Sequence, residues 1–339
     1  MTALDARRGR SDASGVSPAD GLLPVRFILN TFISGPQAWF FLADDRGYFA
    51  DEGLSVSFTE GDTLANAVPR LTTGDYDAGY GDMNALIEMA ATGNADAPVA
   101  VYMAHNRPPY TIAVASDGPV RDPAGLAGRK LVTHPNDAAW RLFPEFCRAT
   151  GLDPDSVEIE VSDLPHKDMV PLMLEGRWDG IFGFVNTIGA QTVEAGLDPA
   201  SVLRHFEWRE HVPALYGGAV MVARAFRNAH PEAVGGLVRA INRGVRETLA
   251  DPDSAIDAVV RRNPSIDRQA NAVRLKGTIA LEMGHPEVLE IGLGDASDAR
   301  LADGAKLIAE GKPHTRAPAP ADVFDRSFLP PLPERQRPV

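Results

Sequence analysis

Val25-Arg26-Phe27-Ile28-Leu29, a polar loop over 30–37, a stretch over 38–46 that is apolar through Ala43 and stops at Gly47, and Leu54-Ser55-Val56-Ser57-Phe58 follow one another near the start of the chain. The first run is short, apolar and closed by turn residues, which predicts a buried strand. The stretch over 38–46 predicts a helix. In the last run Leu54, Val56 and Phe58 share one face, the period-two pattern of a second strand. Glu60-Gly61-Asp62 then turns, and Asp62 or Thr63 is placed to cap a helix running through Leu71. Ala78-Gly79-Tyr80 predicts a third strand, Asp82 opens a helix over 83–91, and 99–104 predicts a fourth strand. Strands alternating with helices at this spacing mean βα units and a largely parallel sheet.

A second series begins near Arg121. It predicts strands over 130–133, 157–161 and 180–184, and a helix capped by Asn136 or Asp137 that runs to Ala149. Further helices are expected over 166–175 and 191–195, and a strand over 215–222 returns toward the first series. His230-Pro231-Glu232 opens a helical region in which Val234, Leu237, Val238 and Ile241 form one apolar stripe. The fold class is therefore α/β, with two lobes, a hinge and a central ligand cleft. The expected divisions are a disordered segment 1–24, lobe 1 over 25–112 and 216–315, an inserted lobe 2 over 113–215, and a Pro-rich tail over 316–339 extended across the surface.

Composition narrows the function. The 339 residues are 44% hydrophobic and 23% charged, ordinary for a globular chain, with a net charge of −13. That charge argues against nucleic acid or an anionic membrane as partner. Cys147 is the only cysteine, which excludes an intrachain disulfide and any multi-cysteine metal or iron–sulfur site. No HExxH, GxSxG or GxxxxGK[ST] pattern occurs, so no metal, cofactor or catalytic residue is expected. Arg7, Arg8 and Arg10 are not followed by an apolar stretch, and no run of about 18 apolar residues exists. The expectation is a soluble chain without an export signal, monomeric or weakly dimeric.

In parallel α/β sheets ligands bind beyond the carboxyl ends of strands, where helix N-termini offer free N–H groups. Loops 30–37, 60–63, 81–84 and 133–138 are the candidates, and two of them come from different lobes. Within them Ser34, Gln37, Glu60, Asp62, Gly81, Asp82, Met83, His134, Asn136 and Asp137 are candidate ligand-binding residues. Asp82 either accepts from an amine of the ligand or caps its own helix, and Glu60 and Asp62 add charge of the same sign. Trp39 is a stacking wall or lobe packing, since Trp39, Phe40 and Phe41 cannot all face one side of a helix. His105 and Tyr216 flank the crossings between lobes, and Asn186 and Thr187 offer neutral hydrogen bonds from the second lobe. Acidic groups facing the cleft favour a nitrogen-rich or cationic ligand.

The order of motifs resembles one family. Asp44-Asp45-Arg46-Gly47-Tyr48-Phe49-Ala50-Asp51-Glu52-Gly53-Leu54-Ser55-Val56 is similar to a signature of nitrate/sulfonate/taurine-type solute-binding proteins, in the branch related to thiamine-pyrimidine-precursor synthase. Thr73-Gly74-Asp75-Tyr76-Asp77-Ala78-Gly79, Asp122 to Lys130, Gly151-Leu152-Asp153-Pro154, Glu175 to Gly180 and His230-Pro231-Glu232 resemble the family's later motifs in the same order. The resemblance implies the periplasmic-binding-protein type II fold, closing on a small solute, and an ABC transporter permease as partner. It also implies export, whereas the chain as written shows no signal peptide, so a cytoplasmic location is an alternative. The eukaryotic synthase carries a reactive histidine in the first-strand loop and a cysteine-rich iron motif. Here Gln37 stands nearest that histidine, no cysteine cluster exists, and 34–38 lacks the nucleophilic cysteine of a desulfinase relative. The expected function is binding of a planar nitrogen-containing solute such as a thiamine pyrimidine precursor. The alternatives are a lyase- or hydrolase-like enzyme on the same scaffold, or a binder of nitrate- or sulfonate-type anions.

Overall fold

Two five-stranded sheets organise the chain, in a computed structural model that describes residues 21–312 and 315–338. The first contains β1 (Leu23–Ile28), β2 (Leu54–Thr59), β3 (Ala78–Asp82), β4 (Val99–Met103) and β10 (Gly218–Val222), in the order β2-β1-β3-β10-β4. The second contains β5 (Tyr110–Ala115), β6 (Lys130–Thr133), β7 (Glu158–Val161), β8 (Gly180–Phe184) and β9 (Leu203–Glu207), in the order β7-β6-β8-β5-β9. Of the expected disordered segment 1–24, the part through Asp20 lies outside the described residues. Order reaches further back than Val25, because Leu23 and Pro24 already pair with Leu54 and Ser55.

The sheets are mixed rather than largely parallel. β1 runs parallel to β2 and β3, but β10 is antiparallel to both β3 and β4. In the second sheet β5 is antiparallel to β8 and β9, while β6 runs parallel to β7 and β8. The reversed strands are the two that lie next to the crossings between sheets. A chain that leaves one sheet and later returns must enter each new sheet against the direction of its βα units. β5 begins at Tyr110, so the first crossing falls at 104–109, ahead of the 112/113 boundary expected from sequence.

The longer helices are α1 (Ala38–Asp45), α2 (Met83–Ala91), α3 (Phe143–Thr150), α4 (His166–Leu174), α5 (Val185–Glu194), α6 (Pro231–Ala250), α7 (Pro252–Arg262), α8 (Arg268–Leu281) and α9 (Asp298–Glu310). Three departures from expectation have local causes. The helix expected to end at Ala149 is broken at Leu142, with Pro144 in the first turn of α3. The helix expected through Leu71 shrinks to Ala67–Arg70. The one expected over 191–195 starts at Val185, directly off β8. The tail also differs: Val323 and Phe324 are buried, Ala100 bridges to Phe324, and Arg335 donates to the carbonyls of Ile291, Leu293 and Pro330. It is packed into lobe 1 rather than laid over it.

One apolar cluster runs through both halves, joining Ile28 and Met83 to Tyr110, Phe146 and Trp208. A second lies under α1, α6 and α7, and a third under α4 and α5. Phe184, at the end of β8, packs against both of the first two. The halves therefore meet in apolar contact, and the two crossings are tied to each other: His105 N–H donates to the Gly218 carbonyl at 2.9 Å and Gly217 N–H to the His105 carbonyl at 3.0 Å.

Candidate functional site

The loop after β1 is clamped on both sides. Glu60 accepts the Ile33 N–H at 2.7 Å, and Asn271 of α8 accepts the Gly35 N–H at 2.8 Å. Inside the loop the Gln37 side chain donates to Asn30 and, at 3.1 Å, to Thr31. Its Oε1 is buried and has no partner.

Beneath the loop Trp39 is fully buried, its ring edge-on to Tyr80 at 6.2 Å and to His105 at 6.3 Å. The Tyr80 hydroxyl lies 2.7 Å from His105 Nε2, and Glu282 Oε2 lies 3.2 Å from the same nitrogen. Burial pushes the tyrosine well above its ordinary value, so it stays protonated and is the donor. Burial also lowers His105 to about 3 and raises Glu282 to about 7. The imidazole is thus neutral. With Nε2 accepting, its proton sits on Nδ1, which is buried without a partner.

A polar chain leads from there to the second lobe. Thr278 hydrogen-bonds to Glu282, and Asn186 at the start of α5 donates to Thr278 at 3.1 Å and to the Arg274 carbonyl at 2.6 Å. Asn186, Thr278, Glu282, His105 and Tyr80 therefore form a continuous line across the lobe contact. Gly277 makes this approach possible, since a Cβ there would lie 2.1 Å from Asn186 Oδ1. Beside the line, a cavity of about 850 Å³ is walled by Phe32, Lys167, Gln191, Asn271 and Arg274, among others. Arg274 makes no side-chain hydrogen bond or ion pair among the described residues, and its Nε is buried without a partner.

This arrangement offers a mixed set of unmet donors and an unmet acceptor where two lobes touch. A family described as NMT1/THI5-like matches residues 37–255. The chain belongs to the NMT1/THI5-like family. A curated relative from Aspergillus parasiticus, 4-amino-5-hydroxymethyl-2-methylpyrimidine phosphate synthase, is 22% identical over 73% of each chain. Among solved structures, the alkanesulfonate-binding protein of Xanthomonas axonopodis pv. citri bound to MOPS aligns with a TM-score of 0.65 at 15% identity, covering 91% of this chain and 100% of that one. The periplasmic nitrate-binding protein of Synechocystis aligns at 0.61 and 13%, covering 91% and 87%. These likenesses establish the periplasmic-binding-protein fold.

In this NMT1/THI5-like protein the residues singled out from sequence separate into groups. Gln37, Trp39, His105 and Asn186 come together in the region just described, with Ser34 buried beside them in the loop. Glu60 is taken up in clamping that loop. Asp82, read from sequence as an amine acceptor or as the cap of its own helix, has both oxygens engaged: Oδ1 accepts from the Asn84 and Ala85 N–H groups, and Oδ2 accepts from Tyr110 at 2.7 Å. The carboxylate caps α2 and pins β5 to it. Gly81 is pressed between Val68 and Met221, Met83 is fully buried, and the Tyr216 hydroxyl donates to Glu287 at 3.2 Å. These sit in the packing of the hinge.

Asp137 caps Ala138–Arg141, and His134 lies 2.7 Å from the Leu164 carbonyl with its ring 4.5 Å from His166. Asp62 and Asn136 are exposed, Asn136 with φ of 58°, and Thr187 is half-buried on α5. Sequence reasoning missed Arg274, Thr278 and Glu282. Their spacing with Asn271 (i, i+3, i+7, i+11) is a polar stripe at helical period, a signal present in the sequence.

Proposed function

We propose that this protein is a solute-binding protein whose lobes close on a small planar molecule carrying adjacent nitrogen donors and acceptors, of the aminopyrimidine class, for delivery to an importer permease. The supporting observation is a set of buried atoms without partners in and under the loop after β1, Gln37 Oε1, Trp39 Nε1 and His105 Nδ1, with Arg274 Nε at the neighbouring cavity. Each such atom costs about 1–3 kcal/mol when left unmet. An acceptor beside several donors complements a ring that alternates N–H and lone pairs. Glu282, raised toward neutrality by burial, stands next to them as a further donor or acceptor. Closure is assigned to rotation of lobe 2 against lobe 1 about the two crossings, a hinge motion of a recognised kind.

Arg274 favours a second reading. A half-buried guanidinium with no partner, together with Lys167 in the same cavity, suits a sulfonate or nitrate group. Calorimetric titration with 4-amino-5-hydroxymethyl-2-methylpyrimidine, hexanesulfonate and nitrate separates the two. Binding of the pyrimidine, weakened at least tenfold by Gln37→Ala, is expected. Binding of hexanesulfonate alone, abolished by Arg274→Gln, overturns the pyrimidine in favour of the anion. Chemical conversion of the bound solute during the titration would replace both with an enzyme on this scaffold.

A further inference from the structure

The chain carries an excess of acidic residues, yet three arginines and a histidine gather around one small cavity at the hinge. The space is about 310 Å³, room for about ten waters. Arg107 enters it from the first crossing, Arg209 from the Trp208–His211 helix of lobe 2, and Arg300 and His285 from lobe 1. Pro108, Pro213 and Pro286 form rigid walls between them.

Two of the three guanidiniums are already committed. Arg209 pairs with Glu207 at 2.5 Å and donates to the Leu281 carbonyl at 3.2 Å. Arg300 pairs with Glu287 at 2.6 Å and staples the crossings together, donating to the Asn106 carbonyl at 3.1 Å and the Leu215 carbonyl at 2.8 Å. Arg107 differs. Its side chain has no hydrogen bond or ion pair among the described residues, and it is half-buried beside Arg209 and Arg300, with Glu207 as the opposing charge. Glu210, the acidic residue on the cavity wall, is exposed. His285 engages Glu287 through Nδ1, which leaves Nε2 free of protein partners.

Arg209 and Arg300 each have a carboxylate partner and Arg107 does not, so a small anion would give its guanidinium the direct pairing that Glu207, held by Arg209, does not. We infer that this hinge cavity is a binding site for a small oxyanion of the phosphate type, held chiefly by Arg107 and separate from the cleft between the lobes. A tetrahedral oxyanion matches the fork of Arg107 and has oxygens to spare for His285 Nε2. The bound anion touches both lobes and both crossings, so its affinity depends on the angle between the lobes. The link to the cleft is short: the Arg107 N–H donates to the Glu282 carbonyl at 3.0 Å, and the Glu282 carboxylate touches His105. By reciprocity, phosphate at the hinge changes solute affinity by the same factor that solute changes phosphate affinity.

Inorganic phosphate is the probe, titrated into the full chain at ionic strength held constant with potassium chloride. A saturable rise in melting temperature is expected, beyond that of matched chloride, and at least a tenfold loss of phosphate affinity in Arg107→Gln. Because the Arg107 side chain bonds to nothing among the described residues, that variant is expected to keep the fold, which circular dichroism checks. Arg107→Lys, which keeps the charge and loses the fork, is expected to fall between the two. Arg274→Gln is expected to bind phosphate normally, so the hinge site stands or falls apart from the reading of the cleft. No saturable effect beyond chloride overturns the inference. Equal binding by Arg107→Gln, or loss in Arg274→Gln instead, overturns it as well.

Discussion

Asp82 shows how one residue type at one position serves packing before recognition. Its carboxylate is almost fully buried, burial raises its pKa, and three protein donors hold it in the folded chain. Replacing it by Ala removes a helix cap and leaves the Tyr110 hydroxyl unmatched, a combined loss of roughly 2–4 kcal/mol. Asp82→Asn, which still caps, is expected to lose less than half of that in urea unfolding. Glu282 makes the second prediction at this scale. Its folded pKa of about 7 lies above the ordinary 4.5, so the folded chain holds the proton more tightly than the unfolded one. Its contribution to stability is complete below about pH 4.5 and is lost as pH rises through about 7. His105, depressed from 6.5 to about 3, works the other way: its contribution is complete above about pH 6.5 and is lost as pH falls from there through about 3. Between about pH 8 and about pH 5 Glu282 adds stability and His105 removes it, so in urea unfolding Glu282→Gln is expected to lower the stability at about pH 5 relative to that at about pH 8 by up to about 3 kcal/mol. An unchanged difference would mean that Glu282 ionises freely in the folded protein.

Helix α8 is the element that decides how the lobes meet. It carries Asn271 against the first-strand loop, Arg274 beside the cavity, and Thr278 and Glu282 along the line from Asn186 to His105. Its contact with α5 depends on the absence of a side chain at Gly277. Gly277→Ala places a methyl into Asn186 and is expected to push α5 away. X-ray scattering should then report a larger radius of gyration, and solute affinity should fall at least tenfold. Asn186→Ala in the same chain removes the obstacle, so the double variant is expected to regain the wild-type radius. If Gly277→Ala leaves both radius and affinity unchanged, α8 does not set the lobe angle.

At the scale of the whole molecule, the halves are not independent bodies. One apolar cluster passes through both, the crossings are hydrogen-bonded to each other, and the ion pair of Arg141 with Glu88 at 3.2 Å adds a polar contact between a lobe 2 helix and α2. The C-terminal segment belongs to this unity. Val323 and Phe324 fill lobe 1, and each buried side chain of this size contributes about 1.5–3 kcal/mol. Truncation before Thr315 is therefore expected to lower the melting temperature by several degrees or to prevent folding. A truncated chain that melts as the full one does would make the tail dispensable. A solute that binds only the folded protein should add about 2.7 kcal/mol of stability at one hundred times its Kd, seen as a matching shift of the urea midpoint.

Local pattern settled much of this protein. The alternation of Leu54, Val56 and Phe58 and the apolar stripe of Val234, Leu237, Val238 and Ile241 are short-range facts, because the period of a strand or helix is written in neighbouring residues. The strand directions were not legible in the same way. β5 and β10 are short, almost wholly buried strands whose residues carry no mark of direction, and it is their position beside the crossings that goes with the antiparallel pairing. Nor could the sequence say which acid faces a ligand and which is consumed by the fold, since Asp82 meets Tyr110 through a contact between distant segments. The site itself shares this dependence. His105, Glu282 and Asn186 are widely separated along the chain, and a hydrogen-bonded line joins them only after both sheets have formed and α8 has been laid between them. Secondary structure is encoded by local sterics and periodicity, whereas the meeting of buried polar groups depends on which surfaces the completed lobes press together.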